Sequence, residues 1–372
     1  MRSVLDLHLA VGRIVLSMCP RLLGFVLLVA LAGACSRERQ KAATRAMMPG
    51  PQPPVQSPLS EANLRCERCH KAIAEEWRSS SHHLAATNAQ YRAAYAVEPF
   101  AFCQACHAPG ARNGETAGPL AELGIGCLNC HPPIEGATLT GTSHHPLVSL
   151  SHAVVRSQDY SQTGACAQCH EFEFPSKGRD QPAFMQRTDT EHAHSPFSAT
   201  GCADCHMPIV GSFGARHRSH AFASTRDSLR LRDAVTIEAV RRDQTLEFSI
   251  APRHVGHAWP TGDLFRRITV EARARDQAGT VKAVRRRYLS RHFERQRQSN
   301  GGLALVEVAD DRPGAECVTG GCAVRFVLDL GVTARNLPLE FDVAYERVQH
   351  LRGSSEDLAE VAERVVLGEG VR

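Results

Sequence analysis

Gly201-Cys-Ala-Asp-Cys-His206 contains the pattern Cys-x-x-Cys-His, which occurs five times in this chain of 372 residues. Numbered along the chain, motifs 1 to 5 are Cys66, Cys69 and His70; Cys103, Cys106 and His107; Cys127, Cys130 and His131; Cys166, Cys169 and His170; and Cys202, Cys205 and His206. Two thiols at this spacing lie on one turn and can each add to a vinyl group of heme, and the adjacent histidine comes under the iron. The motifs predict five covalently attached c-type hemes with five proximal histidines.

The alternative to heme is a zinc or disulfide framework, since Cys-x-x-Cys pairs also bind structural zinc. Zinc would need two such pairs at each site to reach four ligands. It also gives no reason for a histidine after every second cysteine. The pattern therefore favours heme.

The first 35 residues predict export. Leu22 to Ala34 form an apolar run that follows Arg21 and ends in small residues, which is typical of a signal peptide. Leu-Ala-Gly-Ala-Cys35 is similar to the bacterial lipobox, in which the cysteine is acylated, so Cys35 is the predicted lipidation site. An ordinary cleavage site with a chance cysteine is the alternative, and Met18 is an alternative start.

A lipid is the only membrane attachment that the sequence predicts, because no later stretch approaches about 18 uninterrupted apolar residues. Ser36 stands where an aspartate commonly signals retention in the inner membrane. We therefore expect an exported lipoprotein that is periplasmic or at the cell surface, with placement in the outer membrane preferred.

Composition divides the rest of the chain into three parts. Residues 36–60 are rich in Pro, Gln, Ser and Ala and predict a flexible tether. Residues 61–228 hold ten cysteines and few alternating apolar patterns, which predicts a pentaheme domain of short helices and loops. Residues 229–372 predict a β-sandwich-like domain. The net charge of +4 is mild and the charges are well mixed, so no basic stripe indicates nucleic-acid binding.

The strands of the C-terminal domain are predicted from period-two apolar patterns. The alternating sets are Val235, Ile237 and Ala239; Leu246, Phe248 and Ile250; Ile268, Val270 and Ala272; Val324, Phe326 and Leu328; and Leu339, Phe341 and Val343. In the heme domain, Ala72 to Trp77 and Ala85 to Tyr95 are predicted helices. Ser354 to Val366 is predicted as a closing helix, with a final strand as the alternative.

The sixth ligand of each iron determines whether a heme carries electrons or does chemistry. Methionine is scarce, whereas the histidines outside the motifs fall mostly into five clusters, the same number as the motifs. Bis-histidine ligation is therefore expected, and it favours low potentials that suit electron relay. The candidate distal ligands, one from each cluster, are His82, His152, His194, His220 and His257.

Two cysteines fall outside the motifs in the C-terminal domain. No histidine follows Cys322, and Gly320-Gly321 lies between it and Cys317, in a segment flanked by apolar strands. We interpret Cys317 and Cys322 as a local structural disulfide at a hairpin tip.

The residues around the motifs resemble the family of the tetraheme electron carrier that accepts electrons from hydroxylamine oxidoreductase in ammonia oxidation. The similar stretches are Cys66-Glu-Arg-Cys-His-Lys71, Trp77-Arg-Ser-Ser-Ser-His82, Gly201-Cys-Ala-Asp-Cys-His-Met-Pro208 and Arg218-Ser-His-Ala-Phe222. The resemblance implies that His82 and His220 are distal ligands. Gly256-His-Ala-Trp-Pro-Thr-Gly262 looks like a turn of related cytochromes with a C-terminal β-domain, which implies that His257 reaches a heme. This chain departs from the family in having five motifs and an added β-domain.

These features favour an electron-transfer protein that relays electrons between redox partners outside the cytoplasm. The alternative is an oxidoreductase acting on small nitrogen or sulfur oxyanions at one heme with an open sixth position. Relatives of that kind often mark the catalytic heme with a lysine in place of the proximal histidine, whereas all five motifs here end in histidine. A heme-based sensor would need a signalling domain, and the sequence shows none.

Overall fold

The computed structural model describes residues 59–97, 99–111, 116–132, 139–141, 154–156, 160, 162–174, 180, 183–212, 215–222, 228–315, 322–349 and 356–372. The predicted signal peptide, most of the predicted tether, Cys35, His152 and Cys317 lie outside these residues. Within them, no helix is both long and apolar enough to cross a membrane.

The first half of the described chain consists of short helices joined by loops. The helices are α1 (Leu59–Cys69), α2 (Lys71–Ser79), α3 (Ala89–Val97), α4 (Ala101–His107), α5 (Pro119–Glu122), α6 (Cys127–Cys130), α7 (Gly164–His170), α8 (Thr188–Ala193), α9 (Cys202–His206) and α10 (Ser228–Asp233), with a 3₁₀ turn at His83–Ala85. Small strands lie between them: β1 (Leu139–Gly141), β2 (Val154–Arg156), β3 (Glu171–Glu173), β4 (Phe184–Arg187), β5 (Ile209–Val210) and β6 (His217–Arg218). The β1–β2 pair is parallel, and β3–β4 and β5–β6 are antiparallel.

The predicted helix at Ala72 to Trp77 corresponds to α2, but the one at Ala85 to Tyr95 begins later than predicted. Asn88 Oδ1 accepts hydrogen bonds from the backbone N–H groups of Gln90, at 2.9 Å, and Tyr91, at 3.1 Å. Asparagine in this position is a strong helix N-cap. The helix α3 therefore starts after Asn88.

The second half is built of antiparallel strands. They are β7 (Val235–Arg242), β8 (Thr245–Pro252), β9 (Arg266–Arg275), β10 (Val281–Leu289), β11 (Arg291–Arg297), β12 (Leu303–Asp310), β13 (Val324–Asp329), β14 (Leu339–Val348) and β15 (Val361–Val371), with 3₁₀ turns at Val332–Ala334 and Glu356–Leu358. One sheet has the order β10-β9-β14-β15, a second has β13-β8-β7, and β11 pairs with β12.

The main core lies between the four-stranded and the three-stranded sheets. Every second side chain of β8 is buried, at Leu246, Phe248 and Ile250, as the alternating pattern predicts. These side chains share one apolar cluster with Val270 of β9 and Val343 of β14. The mixed fold, with short helices followed by antiparallel sheets, confirms the predicted fold class.

Of the two alternatives for Ser354 to Val366, the final strand is confirmed and the closing helix is wrong. The chain instead forms β15, whose register pairs Val365 with Tyr345 of β14. Val365 and Leu367 pack against the core. Pairing with an open edge of β14 and burial of these side chains outweigh the weak local signals for a helix start.

Candidate heme sites

All five motifs lie on short helices, at the end of α1, in α4 and α6, in α7 and in α9. One face of a helix carries residues three apart, so both cysteines of a motif point the same way. In motif 3, Asn129 Oδ1 accepts a hydrogen bond from the N–H of Gly126 at 2.7 Å. In motif 5, Asp204 Oδ2 accepts one from the N–H of Gly201 at 3.2 Å. Residues inside the motifs thus help to start the helices that present the thiols.

The motif cysteines are available for heme attachment. All ten lie in the described part of the chain, and none of them is disulfide-bonded. No group of three or more His, Cys, Asp or Glu side chains in that part could hold a metal ion. The ten free thiols, in pairs three residues apart on helices, fit covalent attachment of heme.

Three proximal histidines face three of the predicted distal histidines at one common distance. The ring centres are 6.3 Å apart for His170 and His82, for His131 and His220, and for His206 and His257. An iron between two imidazoles, each bonded at about 2.0 Å through a nitrogen about 1.1 Å from its ring centre, would separate the ring centres by about 6.2 Å. The three gaps fit a hexacoordinate heme iron.

The angle between the two ring planes differs among these pairs. It is 71° for His82 and His170, 37° for His131 and His220, and 14° for His206 and His257. The pairs therefore share a distance but not an orientation.

Most ring nitrogens that would face away from iron have a hydrogen-bond acceptor. The Nδ1–H of His107 donates to the carbonyl oxygen of Ala85 at 2.9 Å, that of His220 to Arg218 at 2.8 Å, and that of His257 to Ala258 at 2.9 Å. Such bonds leave Nε2 for the metal and set the ring orientation. His170 Nδ1 donates to Gln186 Oε1 at 3.2 Å.

His82 is the exception. Its Nδ1 is buried and has no hydrogen-bond partner. The ring of Phe222 lies against it, with ring centres 4.1 Å apart and planes at 88°. Phe222 also lies 5.8 Å from the ring of His220, so it contacts two predicted distal ligands.

Burial keeps these imidazoles neutral, which is the form that binds a metal. Desolvation lowers the pKa of His82 to about 3 and that of His257 to about 4. It also lowers the pKa values of His107, His170 and His220. Charging these rings without a partner would cost solvation energy.

The turn that carries His257 is held by buried charged groups. Arg312 Nη1 donates to the carbonyl oxygen of Pro260 at 2.7 Å, and Arg312 Nη2 to Glu191 Oε1 at 2.5 Å. Thr261 Oγ1 donates to Glu191 Oε2 at 2.6 Å. The side chains of Arg312 and Glu191 are only 2% and 6% exposed. This network joins α8 to the turn between β8 and β9.

Close packing against α8 also explains Gly256. A Cβ at this position would lie 3.0 Å from Phe197 Cβ and 3.3 Å from His192 Cδ2. Those distances are shorter than ordinary carbon contacts, so a side chain at Gly256 would push His257 away from His206.

Thiols of different motifs are neighbours in the fold. Cysteine side chains are in hydrogen-bonding contact between motifs 1 and 3, between motifs 2 and 4, and between motifs 4 and 5, through the pairs Cys66 and Cys127, Cys106 and Cys169, and Cys166 and Cys202. Phe222 adds a contact between the predicted distal ligands that face motifs 3 and 4. The five motifs therefore form one connected cluster with motif 4 at its centre.

Motif 2 differs from motifs 3, 4 and 5 in what surrounds its histidine. Tyr91 stacks on the His107 ring, with centres 4.1 Å apart and planes at 12°. Among the described rings, no histidine is in ring contact with His107. The charges of Asp263 and Arg347, from the second half of the chain, act on this imidazole.

Other predicted site residues are not brought to a heme motif. His194 is exposed, its Nδ1 donates to the carbonyl oxygen of Thr190 at 2.7 Å, and no described motif histidine is in ring contact with it. Cys322 is disulfide-bonded, and its partner lies outside the described residues, as does the predicted partner Cys317. The pairing and the role of His152 stay predictions.

Several residues that shape the sites were not found by sequence reasoning. Phe222, Gln186, Glu191 and Arg312 act on histidines far away in the chain. Their types carry no motif, and only Phe222 stood in a quoted stretch.

Comparison with known proteins agrees with this geometry. Residues 65–132, which include motifs 1, 2 and 3, match the family model for cytochrome c554 and c-prime. The five motifs and this match support a multiheme c-type cytochrome that transfers electrons through its hemes.

A solved structure extends the similarity of this cytochrome beyond the matched segment. The penta-heme cytochrome c552 from Thermochromatium tepidum has 17% sequence identity and a TM-score of 0.60, over 85% of this chain and 100% of that chain. At this identity the match shows a shared fold. No curated protein is similar enough in sequence to be matched.

Proposed function

We propose that this cytochrome is an exported relay that carries electrons through five c-type hemes, one at each motif. Hemes 1 to 5 take the numbers of their motifs. His82, His220 and His257 are the distal ligands of hemes 4, 3 and 5. The observation that carries this proposal is the common 6.3 Å gap between the three facing pairs of imidazoles.

Hemes with two histidine ligands have no open position, so they exchange electrons without binding a substrate. Contacts between cysteines of neighbouring motifs bring the attached porphyrin edges close together, which suits transfer from heme to heme. The penta-heme cytochrome with the same fold supports the count of five. His152 and His194 stay predictions as ligands of the other two hemes, and His194 is not in ring contact with any described motif histidine.

The protein would act outside the cytoplasm, anchored by a lipid on Cys35, and would exchange electrons with redox partner proteins. Covalent heme attachment and the apolar leader sequence support export. The lipobox-like end of the leader supports the anchor. Labelling with a radioactive fatty acid would test the lipid, since a Cys35→Ser variant should lose the label while retaining its hemes.

The decisive experiment combines the mass of the denatured protein with an electron paramagnetic resonance spectrum of the oxidised protein. We expect the mass to show five attached hemes and the spectrum to show low-spin signals for hemes 3, 4 and 5. A high-spin signal from any of these three would contradict the ligand assignment. A mass with fewer hemes would contradict the count.

A second candidate function is chemistry at heme 2, on small nitrogen or sulfur oxyanions. It is favoured by the surroundings of His107, where no described histidine is in ring contact. Asp263 and Arg347, which act on His107, lie in one charged cluster with Arg266 and Tyr345. In this cluster Arg266 Nε and Tyr345 Oη are buried without a hydrogen-bond partner. If heme 2 is open, its high-spin signal should change on addition of nitrite, and Arg266→Leu should weaken that response. A low-spin heme 2 would exclude this function.

A further inference from the structure

The central position of motif 4 makes its heme the point through which electrons pass between the others. Its cysteines contact those of motifs 2 and 5, and Phe222 joins its distal ligand to that of heme 3. The potential of heme 4 therefore affects every route that joins hemes 2, 3 and 5 through these contacts.

Hydrogen bonding to the outer nitrogen of a ligating imidazole raises the basicity of that ligand. A more basic imidazole donates more charge to iron and favours the ferric state, which lowers the reduction potential. His220 and His257 both have a backbone carbonyl as acceptor, at 2.8 and 2.9 Å. For His82, Nδ1 is buried without a partner and the hydrocarbon ring of Phe222 packs against the imidazole, so with Nε2 toward iron, as in the other pairs, its outer nitrogen would have no acceptor.

The proximal side of heme 4 acts in the same direction. His170 Nδ1 donates to a side-chain amide oxygen at 3.2 Å, which is a long hydrogen bond. The positive charge of Arg266 also acts on His170, and positive charge near an iron favours the ferrous state. Asp263, 3.4 Å from Arg266, offsets part of that charge.

We propose that heme 4 has the highest reduction potential of the three bis-histidine hemes and collects electrons from hemes 3 and 5, because His82 lacks a hydrogen-bond acceptor at Nδ1. This inference rests on the ligand assignment of the proposed function. Each transfer moves one electron from a ferrous neighbour to the ferric iron of heme 4, with no change of ligands.

The ring angles supply a way to recognise heme 4. Axial imidazoles that approach a perpendicular arrangement give low-spin ferric signals of greater anisotropy than parallel ones. The 71° angle of His82 and His170 is the largest of the three. Heme 4 should therefore give the low-spin signal with the highest g value.

The experiment is a redox titration of the whole protein, followed by electron paramagnetic resonance. The highest-g signal should disappear first among the three low-spin signals as the potential is lowered. If the signal is present but disappears after another, the inference is overturned and the ligand assignment stands. If no such signal exists, the ligand assignment fails and the inference fails with it.

A matched pair of variants tests the cause. Phe222 has a φ of 48°, a region that asparagine tolerates better than most residues. Phe222→Asn would offer an acceptor to His82, whereas Phe222→Leu, which is also apolar, would not. We expect the Asn variant to change the redox equilibrium of heme 4 tenfold toward the ferric state, about 59 mV for one electron. Equal shifts in both variants would overturn the proposed cause.

A second variant acts on the proximal side and leaves Phe222 in place. Gln186→Glu keeps the length of the side chain and gives His170 a charged acceptor, so the midpoint of the highest-g signal should fall. Gln186→Met, which removes the acceptor, should raise it. Opposite shifts support the tuning of heme 4 through its outer nitrogens, and an unchanged midpoint in both variants contradicts it.

Discussion

Single histidines in this cytochrome differ mainly in what their outer nitrogen meets. The rings of His107, His220 and His257 are oriented by backbone carbonyls, that of His170 by an amide, and that of His82 by packing alone. A backbone acceptor sets both the ring orientation and the ligand basicity. The same residue type can therefore hold hemes of different potential.

Removal of one distal ligand should expose a single iron. In His257→Ala, heme 5 keeps its thioether bonds and His206, so the mass should not lose a heme, but one low-spin signal should be replaced by a high-spin one. His254→Asn, in the same loop, is the control, since His254 has a φ of 55° that asparagine accepts. A low-spin spectrum for His257→Ala would show that another residue ligates heme 5.

His292 gives the fold a pH dependence away from the hemes. Hydrogen bonds to Asp311 and Glu356 raise the pKa of His292 to about 10, above its ordinary value of 6.5. A raised pKa means that the charged form stabilises the folded state, so this contribution is complete below pH 6.5 and is lost as the pH rises through about 10.

Thermal unfolding followed by circular dichroism from pH 7 to 10 would measure this effect. Because the pair is partly exposed, we expect roughly 1 kcal/mol or less. The loss of stability over this range should be smaller in His292→Gln. An identical pH dependence in both proteins would show that the ion pairs do not contribute.

At the scale of elements, the turn between β8 and β9 depends on contacts with α8 and with the residues after β12. Arg312 connects the carbonyl oxygen of Pro260 to Glu191 and Asp310. Buried charges of this kind are costly when one partner is removed. The position of His257 is therefore coupled to the junction of the helical and sheet regions.

Arg312→Met should destabilise the protein by about 3 kcal/mol, because it removes one of the two arginines that pair with the buried Glu191 and Asp310 and leaves only Arg187. It should also change the low-spin signal of heme 5, since the His257 turn loses its support. Arg242→Met is the control, because the ion pair between Arg242 and Glu247 is exposed and should contribute less than about 1 kcal/mol. Chemical denaturation measures both, and equal effects would contradict the structural role of Arg312.

At the scale of the whole molecule, motif 4 lies at the centre of the proposed relay. Its cysteines contact those of motifs 2 and 5, and its distal ligand is joined through Phe222 to that of heme 3. No other motif shows this number of neighbours among the described contacts. Loss of heme 4 should therefore divide the cluster.

The double variant Cys166→Ala/Cys169→Ala should lose one heme by mass. When a slow electron donor reduces the remaining hemes, stopped-flow absorbance should then show at least one additional slow phase. Some hemes would no longer receive electrons from the heme that the donor reduces first. Cys322→Ser breaks the disulfide and should leave the heme count unchanged. Unaltered kinetics in the double variant would mean that electrons enter each heme independently.

The sequence alone was enough for features that depend on local spacing. Two cysteines and a histidine within five residues predict an attachment site wherever they fall, so the motifs indicated the cofactor class, and the proximal histidines stay predictions. Alternation of Leu246, Phe248 and Ile250 identified β8, because a strand places every second side chain on one face. The helix predicted near residue 360 failed because its signals were weak and an open edge of β14 was available.

Tertiary structure decided which distal histidine faces which motif. His82 lies opposite His170, and His257 lies opposite His206. The residues between the two members of each pair are too many for sequence reasoning to predict how the two histidines are placed. The missing acceptor at His82 and the support of His257 by Arg312 likewise arise only when distant segments pack together. Local spacing determined where heme can attach, and long-range packing determined what surrounds each iron, because a ligand's partners need be close in space but not in sequence.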